Sequence, residues 1–307
     1  MDRKRVLAIL RVAFAAALIA WIASRVSLSD AAERRAPDGS LLEERTGRAE
    51  GPWNAERVAF RDSTGRAEAL ESREGWRVRP GLRTLVAGLD LRLYAVTILV
   101  FLSTPLLTVV RWRGLLRAVG IETGFGEACR LTYVGLFFNL VVPGLTGGDV
   151  VKAVLAARTT DRREAAVVSV FVDRVIGILA LALLAGAVVW PQRARFSEIA
   201  TGLYLFLGLL TAGSLLLLSR RLRRLFRIDR VVQVLPFSGI VRRVDEAVLA
   251  YRDHPRVLGS ALALSLANHL GILAGTVLLA RAIGDRLPVS DLLVLLPVIS
   301  ILSAAPI

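Results

Sequence analysis

Among the ionisable residues inside otherwise apolar stretches of this sequence, four are best suited to chemistry: Asp149, Lys152, Asp173 and Arg174. A charged group within a membrane-spanning segment is costly unless it is paired or faces water, so each of them marks a candidate functional position. The two cations are suited to holding a phosphate group through charge-assisted hydrogen bonds. A buried structural ion pair without any ligand is the alternative interpretation.

The spacing of these four residues predicts which of them meet. Asp149 and Lys152 stand three residues apart and share one helical face, where they form either a local salt bridge or the wet lining of a binding site. Asp173 and Arg174 are adjacent, so their side chains point in different directions on a helix and a mutual pair is not expected. We expect Arg174 to face the preceding segment and Asp173 to meet Lys152 or another arginine.

A break rich in glycine precedes the first charged residue, within the stretch FFNLVVPGLTGGDVVKA. Pro143 ends the apolar run. Behind it, Gly144, Gly147 and Gly148 leave backbone N–H groups free at the start of the next helix, whose positive dipole end would attract a phosphate. Asn139 offers an amide just before the break. The alternative is that the glycines allow close helix packing and that packed backbone satisfies the amide.

Polar residues elsewhere in the apolar stretches are less specific. Asn268 and His269 stand near the middle of one stretch, where interhelical hydrogen bonding is the favoured role and proton coupling by His269 the alternative. Arg111 and Trp112 are predicted to mark the membrane interface rather than to bind a substrate.

The elements that must position these residues follow from the distribution of apolar residues. The chain has 307 residues, 54% of them hydrophobic, and they come in blocks rather than at the spacing of a globular core. This pattern predicts an all-α polytopic membrane protein. The blocks long enough to cross a bilayer are residues 6–21, 91–110, 165–190, 199–218 and 257–280.

Charge and cysteine content exclude several functional classes. The net charge is +14, but it sits at the edges of the apolar blocks, which is typical of topology signals and contacts with anionic headgroups rather than of nucleic-acid binding. Cys129 is the only cysteine, so an intrachain disulfide and a cysteine-based metal site are not possible. No nucleophile elbow, Walker motif, metal-ligand cluster or acyltransferase signature is present. We therefore expect no enzymatic activity and no cofactor.

The N-terminal part is predicted to hold a membrane anchor and a small exported region. MDRKR precedes the first apolar block, which is the pattern of an uncleaved signal anchor over residues 1–26 with its N-terminus in the cytoplasm. A cleavable signal peptide ending near Ala23 is the alternative. Residues 27–88 are polar, and RVAFRDSTGRAEALE within them predicts a β-hairpin in a β-rich extracytoplasmic insert.

A basic segment later in the chain constrains the topology. The positive-inside rule places SRRLRRLFRIDR, residues 219–230, in the cytoplasm. An even number of crossings must then separate it from the N-terminus, and the four unbroken spans before it already supply that number. Residues 127–157 must therefore enter and return on one side, as a re-entrant helical hairpin whose glycine-rich tip lies within the membrane.

An internal repeat agrees with this arrangement. RAVG at residues 117–120 is followed by Glu127, and RAIG at 281–284 is followed by Asp291 at the same spacing, each after a long span. The two copies have opposite predicted orientations, and inverted repeats with broken helices are a transporter architecture. We predict a transmembrane domain over residues 89–307 and expect it to be truncated, because its second re-entrant segment has no returning limb.

These motifs resemble those of the lysylphosphatidylglycerol synthase transmembrane region family, also called flippase-like membrane proteins. The similarity is strongest over residues 111–184, which contain the Arg-Trp pair, FFNLVVPGLTGGDVVKA and SVFVDRVIGIL, and it is weaker beyond them. The signature of the family corresponds to Asn139, Pro143, Gly148 and Asp149 of this chain.

This sequence also departs from the family pattern at some positions. The acid-arginine pair of the family matches Asp173 and Arg174, but this sequence has aspartate where glutamate is more usual, and Gly177 where an acidic residue is common. The second signature of the family, a glycine-rich turn followed by a glutamate, would begin just past Pro306. Members that synthesise aminoacylated lipid carry a soluble transferase domain, which these 307 residues do not contain, so the resemblance implies lipid translocation rather than synthesis.

Residues and resemblance together predict a multi-pass protein of the cell inner membrane that translocates an anionic phospholipid or lipid-linked headgroup between leaflets. The expected partners are that headgroup and membrane lipids, with no nucleic acid. A membrane-embedded transferase acting on lipid-linked substrates and a non-transporting scaffold are the alternatives. The predicted headgroup site comprises Asn139, Pro143, Gly144, Gly147, Gly148, Asp149, Lys152, Asp173 and Arg174.

Overall fold

The protein divides into two compact units in the computed structural model. The sheet unit comprises Met1–Ala95 and Leu278–Arg286, and the helical unit comprises Val96–Val277 and Leu287–Ile307. Most of the predicted N-terminal span, Pro143, Gly144 and Pro306 lie outside the described residues. Those described are residues 16, 20–21, 23–141, 147–194, 197–226, 238–285 and 288–304.

Five antiparallel strands form the core of the sheet unit, in the spatial order β4-β3-β2-β1-β5: β1 (Asp30–Arg35), β2 (Leu41–Glu50), β3 (Arg57–Asp62), β4 (Ala67–Glu71) and β5 (Trp76–Arg79). Along β3, Val58 and Phe60 are buried while the residues between and before them are exposed, which is the alternation expected of a sheet with one covered face. The predicted hairpin is confirmed as β3 paired with β4. Gly65 in its turn has a φ of 89°, a conformation that glycine adopts without steric cost.

The helices that follow the sheet confirm a polytopic membrane protein. Four of the described helices are long and apolar enough to cross a membrane, Leu91–Ala118, Arg163–Val189, Ala200–Leu218 and Pro255–Ala282, and they match four of the five predicted spans. The helices are α1 (Leu82–Ala87), α2 (Leu91–Ala118), α3 (Phe125–Val141), α4 (Gly147–Ala157), α5 (Arg163–Val189), α6 (Ser197–Leu218), α7 (Arg220–Leu225), α8 (Ser238–Ala250), α9 (Pro255–Ala282) and α10 (Val289–Ala304).

Helices α3 and α4 pack against each other as an antiparallel pair on either side of the glycine-rich break. Asn139 near the end of α3 contacts Gly148 at the start of α4, whereas Gly135, one turn earlier, lies against Lys152, one turn later. The chain direction therefore reverses between the two helices. Their depth in a membrane, and with it the re-entrant character of the hairpin, stays a prediction.

Helices α2 and α9 end in the same local structure. Each is 28 residues long and is followed, two residues after its end, by a glycine of positive φ, 73° at Gly120 and 79° at Gly284. The N–H of each glycine donates to the arginine carbonyl three residues back, and the next N–H donates to a carbonyl five residues back, as in a Schellman cap. The two RAxG motifs thus form matching turns, while the inverted repeat itself stays a prediction.

The sheet unit is anchored to one of these turns. Trp53, in the loop between β2 and β3, donates from Nε1 to the carbonyl of Ile283 at 3.4 Å. The side-chain amide of Asn54 donates to the carbonyl of Gly284. The predicted insert is therefore attached by its own side chains to the end of α9.

The hydrophobic core of the helical unit contains residues of α2, α5 and α8. Trp112, Leu115 and Leu116 are fully buried in it. Tyr251, directly after α8, is also fully buried and donates its hydroxyl to the carbonyl of Leu115 at 3.2 Å. Burial raises the pKa of the Tyr251 hydroxyl above its ordinary value. Residues 238–253 form α8 and the short 3-10 turn that follows it.

Candidate functional site

Five charged side chains from three helices line one cavity of about 380 Å³ in the helical unit. Helix α2 contributes Arg111, α4 contributes Asp149 and Lys152, and α5 contributes Asp173 and Arg174. The volume falls within the range of small-molecule sites, about 300–1,000 Å³. Four of these five residues were predicted as site residues from the sequence.

Arg111, Lys152 and Asp173 form the inner cluster of this cavity, in which every side chain is less than a tenth exposed. Arg111 Nε donates to Asp173 Oδ1 at 2.7 Å, and Lys152 Nζ lies 3.8 Å from Asp173 Oδ2. The second arm of the guanidinium donates to the hydroxyl of Ser265 on α9 at 2.6 Å. Asp173 therefore meets both Lys152 and an arginine, as predicted.

The charge of Lys152 is stabilised from a second side. Its ammonium nitrogen lies 3.9 Å from the centre of the Trp112 ring, a cation–π contact. The indole N–H of Trp112 in turn donates to the hydroxyl of Ser169 at 3.1 Å. The ring is thereby held in position by both α2 and α5.

Asp149 and Arg174 form the outer pair, which is looser and more accessible. Arg174 Nη1 lies 3.4 Å from Asp149 Oδ2, and the two side chains are 30% and 28% exposed. Among the described residues, no donor makes a hydrogen bond to this enclosed carboxylate oxygen. Arg174 thus faces α4, as predicted. Asp149 and Lys152 each pair across to α5 rather than forming the local salt bridge considered from their spacing.

Gly148 serves close packing of α3 against α4. Its N–H donates to Asn139 Oδ1 at 2.9 Å, so this group is already satisfied, and the amide is satisfied by packed backbone. A Cβ placed on Gly148 would collide with the carbonyl oxygen of Gly135. The expectation of free N–H groups at the start of α4 is therefore wrong for Gly148, because the preceding helix already supplies its acceptor. Gly147 begins α4 beside it.

Neutral polar side chains complete the cavity wall. Thr132 on α3 is 2% exposed, and its hydroxyl has no hydrogen-bond partner among the described residues. His269 Nε2 lies 3.0 Å from the carbonyl oxygen of Gly177 on α5, which is the interhelical hydrogen bond favoured for this histidine. Asn268 lines the same wall. These groups can donate to or accept from a polar ligand without adding charge.

Arg111 is the site residue that reasoning from the sequence missed. It was predicted to mark the membrane interface rather than to bind a substrate, whereas the structure shows it 8% exposed, lining the cavity and joining three helices through Asp173 and Ser265. A signal was present in the sequence: Trp112, Leu115 and Leu116 continue the helical periodicity beyond the apolar block, so the helix and its buried face extend past Arg111.

The lining charges determine which ligands the cavity can hold. Counted at formal charges, with His269 neutral, three cations and two carboxylates leave one positive charge in surplus, which favours an anion. Among the described residues, no group of three or more His, Cys, Asp or Glu side chains could hold a metal ion. Asn139, Asp149, Lys152, Asp173 and Arg174 are the predicted site residues that the structure brings together around the cavity.

Comparison with known proteins agrees with this membrane setting. Among curated proteins, the UPF0104 membrane protein PH1989 of Pyrococcus horikoshii is 27% identical over 93 residues, which are 29% of this chain and 28% of that protein. The matched region is thus less than a third of that relative's length. No solved structure matches the chain significantly. The family described as the lysylphosphatidylglycerol synthase TM region matches residues 80–307. Because this match runs over every described helix from α1 to α10 and includes all residues of the cavity, the chain belongs to the lysylphosphatidylglycerol synthase TM region family.

Proposed function

We propose that this protein moves a lipid with an anionic headgroup between the leaflets of the cell inner membrane. The observation that carries the proposal is the convergence of three cations and two carboxylates on one cavity among apolar helices. A structural scaffold does not require such a set, because each buried charge has a desolvation cost that its partners must offset. A lipid headgroup is the ligand that reaches a site of this kind from the bilayer.

The cations of the cavity are suited to phosphate. Arg174 belongs to the loose outer pair, so its guanidinium can turn from Asp149 to a phosphate oxygen and offer a fork of N–H donors. Lys152 lies deeper and contributes a point charge. The headgroup would enter beside Arg174 and come to rest toward Lys152.

The proposal includes the topology predicted from the basic loops. Helices α3 and α4 enter from the cytoplasm and return to it, and α10 enters from the opposite side in an inverted second copy. Their antiparallel packing and the matching caps at Gly120 and Gly284 support this arrangement. Cysteine labelling of Arg113→Cys and Thr160→Cys, in a Cys129→Ser background, tests it. We expect both positions to be labelled from the cytoplasm, and labelling from opposite faces would overturn the hairpin.

A lipid-scrambling assay tests the transport itself. The protein is reconstituted into vesicles containing a trace of headgroup-labelled anionic lipid, and arrival in the opposite leaflet is measured. Arg174→Ala should slow lipid movement at least tenfold, because charge-assisted hydrogen bonds are typically worth about 1.5–3 kcal/mol each. Arg174→Lys should restore little, since an ammonium cannot replace a guanidinium fork.

The matched control is Arg130→Ala, which removes an exposed arginine that pairs with Glu127 and does not line the cavity. It should move lipid at the parental rate when equal amounts of folded protein are compared. If Arg174→Ala also kept the parental rate, or if the unaltered protein moved no more lipid than empty vesicles, the proposed function would be wrong.

A further inference from the structure

A second cavity, of about 740 Å³, lies wholly within the sheet unit. Strands β1 and β2, the loop of residues 51–54, helix α1 and the turn after α9 each contribute to its wall. Its volume falls within the range of small-molecule sites, about 300–1,000 Å³. The family match begins at residue 80, so the strands that form much of this wall lie outside it. The cavity is therefore a candidate site that the family does not assign.

Two arginines line this cavity without a protein partner. Arg48 on β2 and Arg83 on α1 are both exposed, and neither guanidinium makes an ion pair or a hydrogen bond within the described part of the chain. By contrast, Arg45 and Arg61 of the same unit each meet a glutamate at 2.8 Å. Two guanidiniums left for a ligand in one concave site favour an anion.

Asp30 brings the two arginines to the same cavity. Its Oδ2 accepts from the N–H of Ala49 at 2.6 Å and from the hydroxyl of Thr84 at 2.9 Å. These two donors directly follow Arg48 and Arg83 in the sequence, so one oxygen joins β2 to α1 at the positions next to the arginines. Because both donors are neutral, the carboxylate positions the arginines without forming an ion pair with either.

Arg48 is an unfavourable residue for the sheet itself. It lies directly opposite Arg61 in the register of β2 and β3. Like charges at directly opposed positions destabilise a pair of strands. Arg61 pairs with Glu50, which leaves the charge of Arg48 without a counterion. A residue that opposes folding at the wall of a cavity is typical of a binding site.

We propose that this cavity binds a phosphomonoester group between Arg48 and Arg83. Such a group carries a charge of about −1.5 to −2 at neutral pH, which matches two guanidiniums. Each guanidinium fork can donate two hydrogen bonds to the phosphate oxygens. Leu28, Pro52 and Trp53 provide an apolar wall for the rest of the ligand. The same chemistry is offered by a soluble phosphorylated compound and by a lipid headgroup.

Hydrogen exchange of the full-length protein in detergent locates the ligand without relying on transport. Inorganic phosphate and glycerol 3-phosphate are the probes, and sodium chloride at equal ionic strength controls for screening. Both phosphates should slow exchange in residues 47–54 and 81–88 beyond the effect of chloride. Protection that does not exceed that of chloride, or that is confined to residues 147–157 and 173–181 of the charged cavity, would overturn the site.

Three substitutions to glutamine test the two arginines. Arg48→Gln and Arg83→Gln should each raise the phosphate concentration for half-maximal protection at least tenfold, because each removes charge-assisted hydrogen bonds. Arg83→Lys should recover little of the loss, since an ammonium lacks the guanidinium fork. The matched control, Arg66→Gln, removes an exposed arginine of the same unit that does not line the cavity and should match the parent. Equal behaviour of all three glutamine variants would overturn the assignment.

Arg48→Gln also separates binding from folding. Without phosphate, the exchange protection of β2 and β3 should stay at the parental level or rise, because the repulsion from Arg61 is removed. A loss of protection without phosphate would show that Arg48 serves stability and would overturn its role in binding.

Lipid nanodiscs distinguish the two sources of the phosphate. Discs of phosphatidylcholine are compared with discs in which part of it is replaced by phosphatidic acid, whose headgroup is a phosphomonoester. Protection of residues 47–54 and 81–88 by phosphatidic acid alone assigns the site to a lipid, and protection only by added glycerol 3-phosphate assigns it to a soluble compound. Either result supports the site, and protection by neither overturns it. None of these measurements depends on lipid movement, so failure of the proposed function would leave them unaffected.

Discussion

Asp30 in the sheet unit and Asp149 in the helical unit each have an enclosed carboxylate oxygen, yet the partners of the two residues differ. Asp30 is 1% exposed and accepts from the N–H groups of Ala49 and Gly81, each at 2.6 Å, and from the hydroxyl of Thr84 at 2.9 Å. Asp149 meets a guanidinium at 3.4 Å, and its Oδ2 has no hydrogen-bond donor among the described residues.

The difference separates an architectural carboxylate from one that is available to a ligand. Both oxygens of Asp30 are satisfied by its own unit, and they tie β1 to β2 and to the segment that leads into α1. Each of the two oxygens accepts at least one hydrogen bond from within the unit. Asp149 Oδ2 is held only by an ion pair at 3.4 Å, without a hydrogen bond among the described residues, and a buried polar atom without a hydrogen bond is costly. The incompletely satisfied acceptor, rather than burial as such, marks the candidate site.

The inner cluster offers the largest test of this comparison, because its charged side chains are buried and paired, as Asp30 is, and also line the cavity, as Asp149 does. Arg111→Leu should destabilise the helical unit by about 3–5 kcal/mol, since it leaves Asp173 enclosed with only the distant ammonium of Lys152. Arg113→Leu, two residues on, loses one hydrogen bond to the carbonyl of Thr123 and should cost only about 1 kcal/mol. Denaturant titration of the detergent-solubilised protein measures both. Equal losses would show that the buried network contributes no more than one partly buried hydrogen bond.

Gly148 tests whether the glycine-rich break serves packing or ligand binding. Gly148→Ala places a methyl group against the Gly135 carbonyl and should destabilise the protein by about 1–3 kcal/mol through overpacking. Gly208→Ala on α6 has open space around it and should be neutral or gain up to about 1 kcal/mol in helix propensity. Thermal unfolding measures both. If Gly148→Ala kept full stability while lipid movement fell tenfold, the packing interpretation would fail.

Asp30 tests whether a fully hydrogen-bonded carboxylate contributes to stability without contributing to lipid movement. Asp30→Asn turns one oxygen into an NH2 group that faces donors, and it should destabilise the sheet unit by about 1.5–3 kcal/mol. Lipid movement should stay at the parental rate when folded protein is matched. Hydrogen exchange across β1 and β2 measures the loss, with Asp38→Asn in an exposed turn as control. A variant that kept its exchange protection but lost transport would contradict the assignment.

The smallest expected effect concerns Asp62, a partly exposed carboxylate at the end of β3, beside the hairpin turn. The Thr64 hydroxyl, followed by the N–H groups of Arg66 and Thr64, holds the pKa of Asp62 below its ordinary value. This stabilisation is complete above the ordinary pKa of about 3.9 and is lost as the pH falls through the lower folded pKa. Hydrogen exchange of residues 57–71, corrected for intrinsic rates, should show a small loss of protection below about pH 4. Asp62→Asn should abolish that dependence, and an unchanged dependence in the variant would assign it elsewhere.

Local patterns explain why much of the fold was predictable. Hydropathy over a window identifies spans, and alternation around a turn identifies the β3–β4 hairpin, because both depend on neighbours in the sequence. The sheet was predicted only as β-rich. Its five-strand order depends on pairings between distant segments, such as β1 with β5, for which the sequence carries no local signal.

Within the cavity, the sequence by itself determined which segments carry the charges, because an ionisable residue inside an apolar stretch is detectable without a structure. Only the tertiary structure decided the partners. Arg111 reaches Asp173 across 62 residues and Ser265 across 154, so its role depends on how α2, α5 and α9 pack. Gly148 is a second example. The glycine-rich sequence around it is compatible with either a phosphate contact or a close helix crossing, and the Gly135 carbonyl packed against it shows that it serves the crossing. Composition and spacing are properties of one segment, whereas pairing and close approach are properties of two, and they arise only when the helices come together.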